Sequence, residues 1–129
     1  MTVKKLPKPT DAELAILRVL WERGRSTVRE VTDAIQAERG TGYTTALKLM
    51  QIMFEKGLVK RDDSSRTHVY EAVAAADVTQ RQLVTDLLDR AFGGSAQQLV
   101  LQALSGRKAS REDLAEIRKL LDDMERQVK

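Results

Sequence analysis

Glycine breaks divide the first part of this chain into three intervals, and within each interval apolar residues recur at helical spacing. Gly24 closes TDAELAILRVLWERG, the break ERGTG with Gly40 and Gly42 follows STVREVTDAIQAE, and Gly57 closes YTTALKLMQIMFEKG. In the first interval Leu14, Leu17, Leu20 and Trp21 supply an apolar face, and Thr10 with Glu13 forms a capping box with Thr10 as N-cap. In the second, Ser26 is the expected cap, and Val28, Val31 and Ile35 repeat along one side. In the third, Ala46, Leu49, Met50 and Met53 fall at i, i+3, i+4 and i+7 and fill one face. Three consecutive helices are therefore predicted before residue 58.

After Gly57 the period changes. The runs LVKRD (58–62) and THVYEAV (67–73) are rich in β-branched and aromatic residues, and the turn-former cluster DSSR separates them, so the pair is predicted to form a β-hairpin. Three helices followed by a hairpin describe a winged helix-turn-helix, with the hairpin as the wing. From Ala74 the composition shifts again: AAAD is a short hinge, and the remainder reads as helix. VTQRQLVTDLLDRAF, AQQLVLQAL and a last helix begun by Ser110 make three segments, the last with Leu114, Ile117, Leu121, Met124 and Val128 spaced by three and four. The predicted fold is thus mainly α. Residues 1–9 form a flexible basic arm, 10–73 a winged-helix DNA-binding domain, and 74–129 a three-helix dimerisation domain.

Dimerisation is expected because about 50 residues in three short helices bury little surface alone. Two copies packing their apolar stripes would supply the missing contacts, against the alternative that these helices dock on their own N-terminal domain. The expected interface comprises Leu83, Leu87, Leu88, Leu99, Val100, Leu104, Leu114, Ile117, Leu121 and Met124.

Composition narrows the function. With no cysteine among 129 residues, disulfides, thiolate metal sites and a cysteine nucleophile are excluded. His68 is the sole histidine, so no histidine metal cluster or serine–histidine–aspartate triad is available. The acidic pairs Asp62–Asp63 and Asp122–Asp123 fit a turn and a helix surface, and no glycine-rich phosphate loop is present. Neither catalytic residues, metal nor cofactor are expected. No apolar run approaches the roughly 20 residues that cross a bilayer, and MTVKKLPKPT lacks the apolar stretch of a secretory signal; a cytoplasmic protein with no membrane partner is the expectation. The net charge of +3 is unevenly spread: residues 1–76 hold 13 basic against 10 acidic side chains, whereas 77–129 hold 9 of each.

That excess points to an anionic partner. In a helix-turn-helix the second helix of the motif enters the major groove of DNA, its early residues meeting base edges. Thr44, Thr45, Lys48 and Gln51 occupy that part of the third helix, flanked by Leu47. Threonine suits a base edge or thymine methyl, lysine guanine O6/N7 and glutamine adenine. Glu55 comes late, where the helix leaves the groove. Arg25, Arg29, Tyr43, Lys60, Arg61, Arg66 and His68 are placed for the sugar–phosphate backbone, several of them on the wing. The rival from another class is a winged-helix protein–protein interaction module without DNA binding, since fold does not dictate function.

TDAELAILRVLW, STVREV, GYTTALKLMQIMFEKGLVKRD and THVYE, together with the trailing three helices, resemble the penicillinase-repressor family of bacterial regulators over nearly the whole chain. The resemblance implies a homodimeric transcriptional repressor on a palindromic operator of double-stranded DNA, with Thr44, Thr45 and Lys48 at groove-reading positions and the wing cations on the backbone. Two departures stand out. The copper-responsive branch of the family binds metal through C-terminal cysteines, which this chain lacks, so copper sensing is not expected. The β-lactam branch is inactivated by a regulatory protease at an Asn–Phe bond; the matching stretch here, LVLQALSGRKAS, carries Gln102–Ala103 instead. Operator sequence, regulated genes and inducing signal are left open.

Overall fold

The computed structural model describes residues 7–106 and 108–128. Helix α1 (Asp11–Arg23) starts on the expected capping box: the Thr10 hydroxyl accepts the Glu13 N–H at 3.2 Å and the Glu13 carboxylate accepts the Thr10 N–H at 2.9 Å. Its buried face is rotated from the expected one. Ile16, Leu17, Val19 and Leu20 are buried with Glu13, while Leu14 and Trp21 are half-buried. The indole N–H of Trp21 donates to the Ala74 carbonyl at 2.9 Å, which holds this polar atom at the edge of the core. Of the expected arm, residues 1–6 lie outside the described residues; Pro9, assigned to that arm, is buried.

Helix α2 (Val28–Arg39) is capped one residue later than expected. Thr27, not Ser26, is the N-cap, in a second capping box with Glu30. Ser26–Thr27 forms a short strand, β1, and Ser26 is unavailable because its buried hydroxyl donates to the Gly24 carbonyl at 2.9 Å. Helix α3 (Tyr43–Lys56) then buries Ala46, Met50 and Met53, with Leu49 half-buried.

The chain leaves α3 through a paired C-terminal motif. Gly57 takes the left-handed conformation at φ 86°, its N–H donates to the Phe54 carbonyl at 3.1 Å, and Leu58 N–H donates to the Met53 carbonyl at 2.9 Å. A side chain at Gly57 would be strained there. Leu58 and Met53 are both buried, so the reversal is pinned by packing as well as hydrogen bonds.

Strands β2 (Val59–Asp62) and β3 (Val69–Ala72) form the hairpin, and β1 pairs with the other side of β3. All pairings are antiparallel, with Ser26 opposite Tyr70, Arg61 opposite Tyr70 and Lys60 opposite Glu71. The expected two-stranded wing is therefore a three-stranded sheet in the order β1-β3-β2. Two residues carry no alternation, so β1 leaves no periodic signal. The core joins Ile16, Leu17, Val19 and Leu20 of α1, Val28, Val31 and Ile35 of α2, Ala46, Met50 and Met53 of α3, and Leu58, Val59 and Tyr70 from the hairpin side.

Contacts divide the chain into two compact units, split between Val84 and Thr85 inside α4 (Ala76–Ala91). The boundary expected from the sequence lies between residues 73 and 74. Ala74 carries the acceptor for Trp21, and Thr79 on the first turn of α4 is buried, so the first half of α4 belongs with the winged fold. The second unit contains the rest of α4, then α5 (Ala96–Gly106) and α6 (Arg111–Gln127), whose cap Ser110 accepts the Asp113 N–H at 3.0 Å. Among its described residues, none is buried.

Candidate nucleic-acid interface

The face of α3 opposite Ala46, Met50 and Met53 reaches solvent. Thr44, Thr45, Lys48, Gln51 and Glu55 are all exposed. Leu47 is half-buried and packs against the core, so only part of it is presented. The start of α3 differs from those of α1 and α2: Gly42 provides no side-chain cap, and the first turn has no acid. Unsatisfied N–H groups and the positive end of the helix dipole thus stand beside Thr44 and Thr45, an arrangement favourable to a phosphate.

A cleft opens between this helix end, the start of α2 and the wing. Thr27, Val28, Arg29, Tyr43, Leu47, Arg66, Thr67, His68 and Tyr70 line it, and no carboxylate is among them. The Arg29 guanidinium lies over the Tyr43 ring at 5.0 Å from its centroid, which ties the first turn of α2 to the first residue of α3. The wing turn is held by its own side chains: Ser64 N–H donates to the Asp62 carboxylate and the Ser65 hydroxyl donates to the Thr67 carbonyl, both at 2.9 Å.

The expected backbone-facing cations differ in how they are engaged. Among the described residues neither Lys48 nor Arg66 is paired with an acid. Arg25 donates to the Asp62 carboxylate at 2.9 Å, and Lys60 lies 3.5 Å from its cross-strand neighbour Glu71. Both pairs are solvent-exposed, where water and salt screen the attraction, so either cation is readily re-directed to a phosphate. Hydrogen bonds from Ser64 and then the Arg25 partner hold the Asp62 carboxyl below its usual range. His68 Nδ1 is 3.6 Å from Asp63.

Arg61 is engaged differently from its neighbours. Its guanidinium carbon lies 4.2 Å from the centroid of the Phe54 ring, on the last turn of α3. Its Nε is 2.8 Å from an Asp63 oxygen, and only 22% of the side chain is exposed. Phe54 carries no helical-face signal of its own, and its link to Arg61 is visible only once β2 folds back along α3.

A buried ion pair braces the same helix from the other side. Lys56 Nζ donates to Glu13 Oε2 at 2.8 Å, with the glutamate side chain 2% and the lysine 37% exposed. Burial alone would raise the Glu13 pKa; hydrogen bonds from Lys56 and the Thr10 N–H, together with the lysine charge, outweigh it and hold the carboxyl below its usual range. The two residues are 43 positions apart, and nothing in the local pattern of either announces the pair.

In the second unit, Leu87, Val100, Leu104, Leu114, Leu121 and Met124 are exposed, and Leu88, Leu99 and Ile117 are half-buried. Leu101 and Leu120, absent from the expected interface, are also exposed. Leu83, half-buried, falls in the first unit. Gln102 and Ala103 sit inside α5. Among the described residues no helix is long and apolar enough to cross a membrane.

Comparison with known proteins gives a consistent picture. The family described as penicillinase repressor matches residues 9–123. The transcriptional regulator BlaI of Mycobacterium tuberculosis (strain ATCC 25618 / H37Rv) is 34% identical over 98 residues, which cover 75% of this chain and 71% of the relative. The penicillinase repressor of Staphylococcus aureus is 21% identical over 113 residues, 88% of this chain and 90% of the relative. Among solved structures, the DNA binding domain of the repressor BlaI superposes with a TM-score of 0.50 at 23% identity, covering 57% of this chain and 90% of that one. The Bacillus licheniformis BlaI monomeric form in complex with the blaP half-operator gives 0.50 at 23% identity, covering 58% and 92%. At these identities the structural likeness establishes the winged-helix fold.

Proposed function

This chain belongs to the penicillinase repressor family, and from that premise we propose that it is a DNA-binding transcriptional repressor acting as a homodimer on a palindromic operator. Helix α3 enters the major groove, with Thr44, Thr45, Lys48 and Gln51 at base edges and the exposed part of Leu47 beside a thymine methyl. Arg25, Arg29, Tyr43, Lys60, Arg66 and His68 hold the backbone on either side. One observation carries this assignment: the solvent face of α3 presents two threonines, a lysine paired with no acid among the described residues, and a glutamine beside an acid-free cleft.

The second unit links two copies. A segment with no buried side chain among its described residues has little to hold it folded alone, and its exposed leucines on α5 and α6 offer a self-complementary surface. Joining two weak half-site contacts makes the second effectively intramolecular. Half-sites would then lie about 34 Å or a small multiple apart. A signal that opens or cuts the second unit would release DNA without altering a base contact. A protease acting at Gln102–Ala103 must first unwind part of α5, which no buried side chain opposes.

The test is a salt-titrated binding series on a random duplex and on the duplex that the protein selects from a random-sequence library. The expected result is tight binding to the selected duplex and weaker, strongly salt-dependent binding to the random one. Absence of binding to either at low salt would overturn the assignment in favour of a protein-interaction module.

A further inference from the structure

We infer that Arg61 is not a phosphate contact but a positioning residue that sets the wing relative to the groove-reading helix. The inference rests on the DNA-binding role proposed above. Strand β2 follows α3 after only Gly57 and Leu58, so the angle between them is governed by whatever joins their flanks. On the core side that joint is Leu58 and Val59 against Met53. On the solvent side it is Arg61 stacked on Phe54 at 4.2 Å and paired with Asp63 at 2.8 Å.

Besides its cross-strand neighbour Tyr70 on β3, with which the guanidinium also interacts, Arg61 meets two residues on different parts of the reading surface. Phe54 is three residues beyond Gln51 on α3, and Asp63 opens the turn that carries Arg66. The guanidinium plane therefore connects the recognition helix to the wing tip. Asp63 also lies 3.6 Å from His68, so both sides of the wing turn meet at one carboxylate. A phosphate would have to displace the aromatic ring and the carboxylate together to reach this arginine, whereas Arg66 faces neither constraint.

Arginine suits this geometry in a way lysine does not, because a planar guanidinium stacks on a ring while its charged edge stays beside a carboxylate. The decisive experiment compares Arg61→Lys, Arg61→Met and Phe54→Leu in the full-length chain. The probes are the selected duplex and a scrambled duplex of equal length. Lysine retains the charge that a phosphate contact needs but loses the planar stack. Arg61→Lys and Phe54→Leu should therefore weaken the selected duplex alike, by about three- to thirtyfold. The slope of log K against log salt should stay at the wild-type value, since no phosphate contact is lost. Amide hydrogen exchange measured without DNA should rise in residues 62–70 for both variants while the helices keep wild-type protection. Wild-type affinity for Arg61→Lys, or a slope reduced by about one in Arg61→Met, would overturn the inference. Failure of the wild-type protein to bind either duplex would instead remove the DNA-binding role, and wild-type wing exchange in both variants would then remove the positioning role as well.

Discussion

Lys56→Met provides a quantitative test of how the winged unit is braced. The substitution keeps most of the hydrocarbon stem and removes the ammonium that lies 2.8 Å from a glutamate whose side chain is 2% exposed. Breaking a buried pair costs about 3–5 kcal/mol, and a hydrogen bond to a charged group is worth about 1.5–3 kcal/mol. Because 37% of the lysine side chain faces solvent, water reaches the site and the loss falls toward the lower range, about 2 kcal/mol. For a unit of this size that corresponds to a fall in Tm of roughly 8–16 °C. The pH dependence gives the discriminating sign. The folded-state pKa of Glu13 lies below its ordinary value of 4.5, so the pair's contribution is complete above that value and is lost as pH falls through the lower folded one. Thermal unfolding of both proteins should show the widest gap at neutral pH and a narrowing one on acidification. Glu13→Gln, which keeps an acceptor for the Thr10 N–H, should lose less, about 1 kcal/mol. A gap of unchanged width down to about pH 3 would refute the ionic argument and assign the effect to the lysine stem.

Three further variants test the interface and the dimer. Lys48→Ala should cost on the order of 1–3 kcal/mol on the selected duplex and little on a scrambled one, measured by fluorescence anisotropy; an equal loss on both would reassign Lys48 to phosphate. Arg66→Ala should weaken all duplexes alike and reduce the salt slope by about one, read from the same titrations at several salt concentrations. Leu114→Asp with Leu121→Asp should yield monomers in sedimentation velocity and lower operator affinity by about a hundredfold or more, with wild-type base preference retained. Dimers that persist with both changes would place the self-association surface elsewhere.

How far the chain is legible depends on the range over which each feature is encoded. The helices and their glycine stops are local: the Thr10–Glu13 capping box and the Ala46, Met50, Met53 stripe each span a few residues, and both form as expected. Errors begin where a second partner competes for a residue. Ser26 is a good cap by type, but its hydroxyl is buried and donates to the Gly24 carbonyl, and Thr27 takes the role. The rotated face of α1 has the same origin. Ile16 and Val19 are turned inward, while Trp21, whose indole must satisfy a donor, settles at the edge against the Ala74 carbonyl. That hydrogen bond also carries the winged unit past the alanine-rich hinge. For the candidate interface, exposure of Thr44, Lys48 and Gln51 follows from helical period alone. The engagement of Arg61 by Phe54 and Asp63, like the Glu13–Lys56 pair, is a tertiary fact with no local periodicity to reveal it.

The two units differ in what holds them, and that difference bears on how repression is switched. The winged unit has an aliphatic core spread over three helices and a sheet, two capping boxes and a buried ion pair. Its opening requires most of these to fail together, so it is suited to presenting α3 in one fixed geometry. The second unit has caps and helical propensity but no buried side chain among its described residues, so its order depends on what its leucines meet. On the proposed dimer, pairing and folding of that unit are one equilibrium. An inducing event then needs only to shift a marginal association, and the operator complex loses its bivalent advantage while every contact from α3 to the bases is chemically intact. Selection for tight recognition and selection for easy release thus fall on separate parts of the chain. On the proposals made above, Arg61 and Phe54 would sharpen the first, and the exposed stripe of Leu114, Leu121 and Met124 would tune the second.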